Sequence, residues 1–274
     1  MRVAARTALA AVCVWAFATP AVADGLQDEA FLHPLDAFTA QTLRAGEVFL
    51  AQPISPLPGW AQVGVTDWLT VEIDLTAIVG GLIESPHVPV PSTDVRWRVR
   101  DGFALEGMVQ YLSAELAQED LEHLVVRRQG LGGFLHANAS IEVARHLWLH
   151  ASAGVSYQNW FEVESQRRTI EHGATFEHLI SPDVSLAFDW RVREWLSLNA
   201  TGSYGATFVY SDNQPRKVQL AYGARVAPFL WTHVGILHDL RVELAAVVMY
   251  RPDAREVAAL YLPILPYVYW QFML

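Results

Sequence analysis

Cysteine is all but missing: Cys13 is the only one among 274 residues. No disulfide can brace the chain, so its stability has to come from a core or from a bilayer. Long apolar runs are missing too. Beyond residue 23 there is no uncharged stretch of about 18 apolar residues, which excludes a spanning helix. In lipid only helices and closed barrels satisfy every backbone group, so a barrel is the one membrane architecture left open. No Ser/Gly/Pro-rich linker divides the chain, and a single domain is expected. There is no basic stripe: the formal charge is -10, nothing looks like a phosphate-binding surface, and nucleic acid is excluded as a partner. A Gly-x-Ser-x-Gly nucleophile elbow is also absent.

What is present begins with Arg2 and Arg6, an apolar run from Ala8 to Phe17, and Ala21-Val22-Ala23 before Asp24. That is the order of a secretory signal peptide, predicting cleavage after Ala23. The run is too short for a membrane anchor. Val12 stands before Cys13 where a lipid-attachment site places a small residue.

The mature chain alternates. Leu147, Leu149, Ala151, Ala153, Val155, Tyr157 and Phe161 interleave with His150, Ser152, Gly154, Ser156, Gln158 and Glu162. Strand side chains point to two faces in turn, so this is one apolar and one polar face. The pattern recurs over 69–77 and 196–208, and near 95–100, 103–112, 133–143, 217–228 and 239–250. Two shorter candidates lie at 46–52 and 60–66. Short polar turns at 66–68, 101–102, 145–146, 193–194 and 238–239 alternate with longer segments at 83–94, 113–124, 162–167, 211–216 and 251–255. Short periplasmic turns and longer outer loops are the pattern of outer-membrane barrels. Ten residues at about 3.3 Å each, tilted near 40°, rise roughly 25 Å, the height of a lipid-facing band. The prediction is a single antiparallel up-and-down transmembrane β-barrel of about 12 strands, with 10 to 14 allowed. Tyr157 and Tyr250 are expected at one membrane interface, and Trp68, Trp148 and Trp195 at the other. An arginine is expected to be resisted at Val155, placed at mid-band, and accepted at Ser156. Ser181-Pro182-Asp183 and Pro228 read as a kink, a bulge or an extra turn. A soluble sandwich with the same alternation would need a second sheet to hide its apolar face.

The signal peptide, the repeated hairpins and the terminal Tyr267-Val268-Tyr269-Trp270-Gln271-Phe272-Met273-Leu274 resemble a bacterial outer-membrane β-barrel, porin-like or of an uncharacterised barrel family. The resemblance implies an outer-membrane location, a surrounding lipid bilayer, and recognition of the last strand by the barrel-assembly machinery. Trp270, Phe272 and Leu274 would carry that signal. In this class the last strand commonly ends in an aromatic, whereas here Met273 and Leu274 follow Phe272.

On that reading residues 1–23 are the leader, 24–45 an N-terminal extension and 46–274 the barrel. The extension carries Phe31, Leu32, Leu35, Phe38 and Leu43. These are compatible with a short amphipathic helix near 35–43, a plug in the lumen, an interfacial segment or an unstructured leader. The polar face sets Glu72, Asp74, Glu106, Glu142, Asp189 and Glu243 against Arg96, Arg98, Arg100, Arg191, Lys217, Arg225 and Arg241. Arg96, Arg98 and Arg100 share one face of one strand, and the neighbouring strands bring Glu72, Asp74 and Glu106 within pairing reach. Arg96, Arg98, Arg100, Glu72, Asp74, Glu106, Arg225 and Glu243 are therefore the candidate lumen and selectivity residues. An open lumen would make a channel or transporter for small polar solutes; pairs closing across it would make a non-conducting structural barrel. A lipid-modifying enzyme is the third class, but Ser152 and Ser156 beside His150 are what a polar strand face offers by chance. No catalytic residue is assigned. The pairs His146/His150 and His172/His178 match no metal spacing, and no metal or cofactor is expected. Solute and oligomeric state are not readable.

Overall fold

The computed structural model describes residues 39–53, 60–74, 93–118, 124–165, 177–205, 217–232, 240–251 and 256–273. The expected leader and most of the extension lie outside them. Within them run β1 (Glu47–Pro53), β2 (Trp60–Thr66), β3 (Leu69–Asp74), β4 (Thr93–Arg100), β5 (Phe103–Gln118), β6 (Leu124–Ala144), β7 (Leu147–Ser165), β8 (Glu177–Arg193), β9 (Leu196–Gly205), β10 (Lys217–Val226), β11 (Leu240–Arg251) and β12 (Glu256–Met273). Each strand pairs antiparallel with the next. β1 also pairs with β12, from Glu47↔Met273 to Pro53↔Tyr267, so the ring is closed.

β8 shows most plainly why these residues make strands and which way they face. Ile180, Pro182, Val184, Leu186, Phe188 and Trp190 are exposed, while Ser181, Asp183, Ser185, Ala187 and Asp189 are buried. The same inversion holds for the described side chains of β2, β4, β9, β10 and β11. The polar face points in and the apolar face out, the reverse of a water-soluble barrel.

The turns joining β2–β3, β4–β5, β6–β7 and β8–β9 each take two residues, and all lie at the end where β1 starts and β12 stops. Two-residue hairpins favour left-handed backbone at the turn. Gly102, with φ 71°, and His146, with φ 62°, supply it.

Several expectations need correction. β5 runs on to Gln118, β6 starts at Leu124 and β7 continues to Ser165, so the segments expected as loops at 113–124 and 162–167 are mostly strand. β6 has 21 residues and β7 has 19. Ser113, Glu115, Gln118, Glu162 and Glu164 give these extensions a polar composition that read as loop, although Ser113-Ala114-Glu115-Leu116 and Glu162-Val163-Glu164 keep the alternation. Pro182 breaks nothing: the β7–β8 ladder passes it, opposite Val155, without a register shift, and β9 pairs with β8 only from Val184. The strand expected to reach residue 228 stops at Val226; Ala227 to Thr232 form a turn in which Thr232 N–H donates to Phe229 O at 2.9 Å. Trp148 is not at an interface. It is 5% exposed and shares the inward face with His150, because parity along the strand, and not nearness to a turn, decides the side. Residues 39–44 are not helical; they lie along the inner wall.

Candidate functional site

Three polar clusters and one segment of chain occupy the inside of the ring. On β4 and β5, Arg96 stands opposite Glu106. Its Nε donates to Glu106 Oε1 at 3.0 Å, and the amide of Asn138, from β6, donates to the other carboxylate oxygen. Both members of the pair are buried. Nearby, Gln62 Nε2 donates to Glu72 Oε2 at 2.6 Å.

The second cluster crosses a strand. His136, Gly154 and Asp183 lie in one row over β6, β7 and β8. His136 Nε2 is 3.1 Å from Asp183 Oδ2, and Ser156 Oγ donates to Asp183 Oδ1 at 3.2 Å. The imidazole can pass over β7 only because residue 154 has no side chain: a Cβ there would lie 2.2 Å from the ring. Phe134 stacks on the imidazole with centroids 4.4 Å apart. Ser156 is thus buried and engaged, so an arginine there would displace its hydrogen bond to Asp183, which speaks against the expectation that arginine is accepted.

Arg225 on β10 centres the third cluster. Its Nε donates to Glu243 Oε2 on β11 at 3.2 Å, and its Nη1 reaches over β9 to Asp189 Oδ2 on β8 at 3.2 Å. Asn199, from the strand being crossed, donates to Glu243 Oε1 at 2.6 Å. Arg225 has 0% exposure. A charge so removed from water persists only if its carboxylates hold it in good geometry.

Residues 39–44 run across these walls as a strap. Thr39 through Leu43 are all buried. Ala40 N–H donates to Ser140 Oγ at 2.8 Å and Leu43 N–H to Thr70 Oγ1 at 2.8 Å. Gln41 O accepts from Arg96 Nη1 at 3.2 Å, and Thr39 O accepts from Asn138 Nδ2 at 3.3 Å. At the short-turn end Thr42 Oγ1 donates to Asp67 O and Ala45 N–H to Asp67 Oδ1. Ser140 Oγ also shares a hydrogen bond of 2.8 Å with His150 Nδ1. This serine–histidine pair lies against the strap, since the same Ser140 Oγ accepts from Ala40 N–H.

Of the arginine row, only Arg96 goes deep. Arg98 is half-buried at the short-turn end, donating to Asp67 O at 2.6 Å, and Arg100 is half-buried beside its turn. Glu72 is half-buried against Gln62; Asp74 pairs through its backbone with Trp60. Glu106, Arg225 and Glu243 are fully enclosed. Trp68, Tyr157, Trp195 and Tyr250 are exposed. Trp270 takes register positions opposite Leu50 and Leu240, and Phe272 opposite Val48; Leu274 lies outside the described residues. Sequence reasoning did not single out His136, Asp183, Asn138, Asn199 or the strap as partners. One signal was available: His136 and Asp183 both fall on polar faces, on strands flanking the one that carries Gly154.

No family model matches the chain, and no curated protein does. Among solved structures, the crystal structure of Pseudomonas aeruginosa OccD3 (OpdP) is similar at 9% identity, over 80% of this chain and 68% of that one, with a TM-score of 0.25. A likeness this slight carries no weight beside the ladders and clusters described above.

Proposed function

We propose that the chain is a transmembrane β-barrel of a bacterial outer membrane that passes small polar solutes through its charged lumen once the strap of residues 39–44 leaves it. The inverted burial carries the membrane part. Val63, Val95, Leu135, Leu186, Leu220 and Leu244, on six different strands, are exposed large apolar side chains. Soluble monomers rarely expose an apolar patch beyond a few hundred Å². A bilayer gives a ring of such residues a solvent that fits them.

The strap supports the transport part. About eight strands make a barrel that side chains alone can fill, and a wider ring leaves space that something else must occupy. Here a stretch of backbone does so, held mainly by hydrogen bonds from lumen side chains; its buried apolar contact is Leu43 beside Phe49 and Trp60. One observation favours a second reading. Arg225 and Glu243 are 0% and 1% exposed, so the wall is tightly packed at their level, as a non-conducting structural barrel requires.

Single-channel recording in planar bilayers tests the proposal on the refolded mature chain and on a form that begins at Ala45. Steady ion-selective steps from the shortened form, with the longer one mostly closed, are the expected result. A shortened form that inserts, shows heat-modifiable gel migration and never conducts would replace the channel with the filled barrel.

A further inference from the structure

Two short turns are held side by side at the end where β1 begins. Arg145 and His146 join β6 to β7; Glu194 and Trp195 join β8 to β9. Arg191 N–H donates to His146 O at 2.9 Å, which ties one turn to the other. His146 is fixed in left-handed backbone at φ 62°, and its N–H donates to Glu142 Oε1 at 2.8 Å. The space between the turns is therefore preformed. It is a cleft of about 610 Å³ lined by Arg145, His146, Arg191, Arg193, Glu194 and Trp195, among others.

Its charge runs against that of the chain. Three arginines and one carboxylate line it, in a protein whose formal charge is -10. Arg191 and Arg193 come from the end of β8, on either side of a register shift, and Arg145 comes from the facing turn. Arg145 and Arg193 are exposed, and neither forms an ion pair among the described residues. Arg145 Nε instead donates to His146 Nε2, in the same turn, at 3.3 Å.

We propose that this cleft binds a phosphate oxyanion, carried on a lipid headgroup or free in solution. Guanidinium forks match the oxygens of phosphate in pairs, and two forks from opposite walls enclose a group that size better than ammonium ions would. Trp195 lines the cleft and is exposed, and Trp190 is exposed on the outward face of the same strand end. Indoles prefer the headgroup level of a bilayer, the level at which lipid phosphates lie. Only this lipid source rests on the membrane reading. The cleft does not need the lumen to conduct. The sequence hid the site because no basic stripe marks it: the two arginine-bearing turns meet only when β7 pairs with β8.

Phosphorus NMR tests the proposal on the full mature chain in non-ionic detergent micelles, with two probes titrated separately: inorganic phosphate, and phosphatidylglycerol doped into the micelles. The expected result is a saturable shift or broadening of at least one probe, weakened about tenfold in the double variant Arg145→Gln/Arg193→Gln, since charge-assisted bonds are the strong ones. Both replaced residues are exposed, and heat-modifiable migration checks that the variant folds. Glu194→Gln removes the one lining carboxylate and should tighten binding. A response to phosphate alone identifies a free anion; a response to the lipid alone identifies a headgroup. If neither probe responds, or the double variant binds as the parent does, the assignment is overturned.

Discussion

Replacing Leu186 by arginine is the sharpest probe of what the outward face touches. Leu186 projects from the middle of the exposed row on β8 and is 55% exposed, with Ala151 and Gly202 as its ladder partners. Counting along the strand, it stands four residues from Trp190 and six from Ile180. At about 3.3 Å per residue and a tilt near 40°, those are heights of roughly 10 Å and 15 Å, close to the middle of a lipid band about 25 Å tall. An arginine there should cost about 2–4 kcal/mol in a bilayer. Val155 makes the internal comparison. It stands eight residues beyond Leu147, whose ladder partner is Trp190, so it rises roughly 20 Å and lies near the far interface, not at mid-band. Arginine at Val155 should cost only about 0–1 kcal/mol. Urea unfolding in lipid vesicles, followed by tryptophan fluorescence, measures both variants against the parent. If Leu186→Arg costs no more than Val155→Arg, depth in a bilayer does not govern this face and the membrane reading fails. A soluble barrel would accept arginine at either exposed site with little change.

The enclosed clusters make three further predictions. Arg225→Met should destabilise the barrel by about 3–5 kcal/mol, because it strands two buried carboxylates; removing the charges of Asp189 and Glu243 in the same variant should recover most of the loss, and a single variant as stable as the parent would contradict the geometry. Gly154→Val should cost more than the ~1–3 kcal/mol of ordinary overpacking, because its Cβ would meet the backbone oxygen of Leu135 at 2.1 Å as well as the His136 ring at 2.2 Å; adding His136→Ala should recover only the ring's share, so full recovery in vesicle unfolding would count against the backbone contact and strictly additive costs against the ring contact. In the shortened chain that begins at Ala45, Arg96→Gln should shift reversal potentials toward cations, because Arg96 loses its strap partner and faces the opened lumen; an unchanged potential in a conducting barrel removes Arg96 from the path.

How much of this was legible in the sequence depends on the distance over which each feature is set. The two faces of β7, β8 and β9 follow from single-residue alternation, and the short turns follow from polar residues between apolar runs. The pairing of Arg96 with Glu106 was within reach of a tight turn at Asp101-Gly102, but a register shift between Arg98 and Arg100 decides which residue arginine meets, and a bulge leaves no mark in composition. The His136–Asp183 and Arg225–Asp189 contacts each skip a strand. They depend on two successive registers, β6–β7 and β7–β8 in the first case and β8–β9 and β9–β10 in the second. Trp148 shows the opposite failure: the parity needed to place it was in the sequence, and proximity to the turn was given the greater weight.

The strap explains why a lumen so fully bonded can still be an entrance. At least eight hydrogen bonds tie residues 39–45 to the barrel: with Ser140, Thr70, Arg96, Asn138 and, twice each, Asp67 and Glu47. Each is worth about 1 kcal/mol net of water, and burying Leu43 adds roughly 2 kcal/mol. Fixing the backbone of six residues costs about 1–2 kcal/mol each. Gain and cost are therefore of similar size, and the strap is held far less firmly than the strands around it. The partners it leaves are polar and exchange its hydrogen bonds for water. Thr70, Arg96, Asn138 and Ser140 close the lumen when the strap is in and would line it when the strap is out. A barrel whose plug is bound mostly through backbone groups can release it while uncovering little apolar surface, here the contact of Leu43 with Phe49 and Trp60. Substituting Ser140 and Thr70 by alanine should loosen the strap and raise the open probability of the mature chain in bilayer recordings; an open probability that stays at the parent value, in variants that still fold, would show that these bonds do not hold the strap.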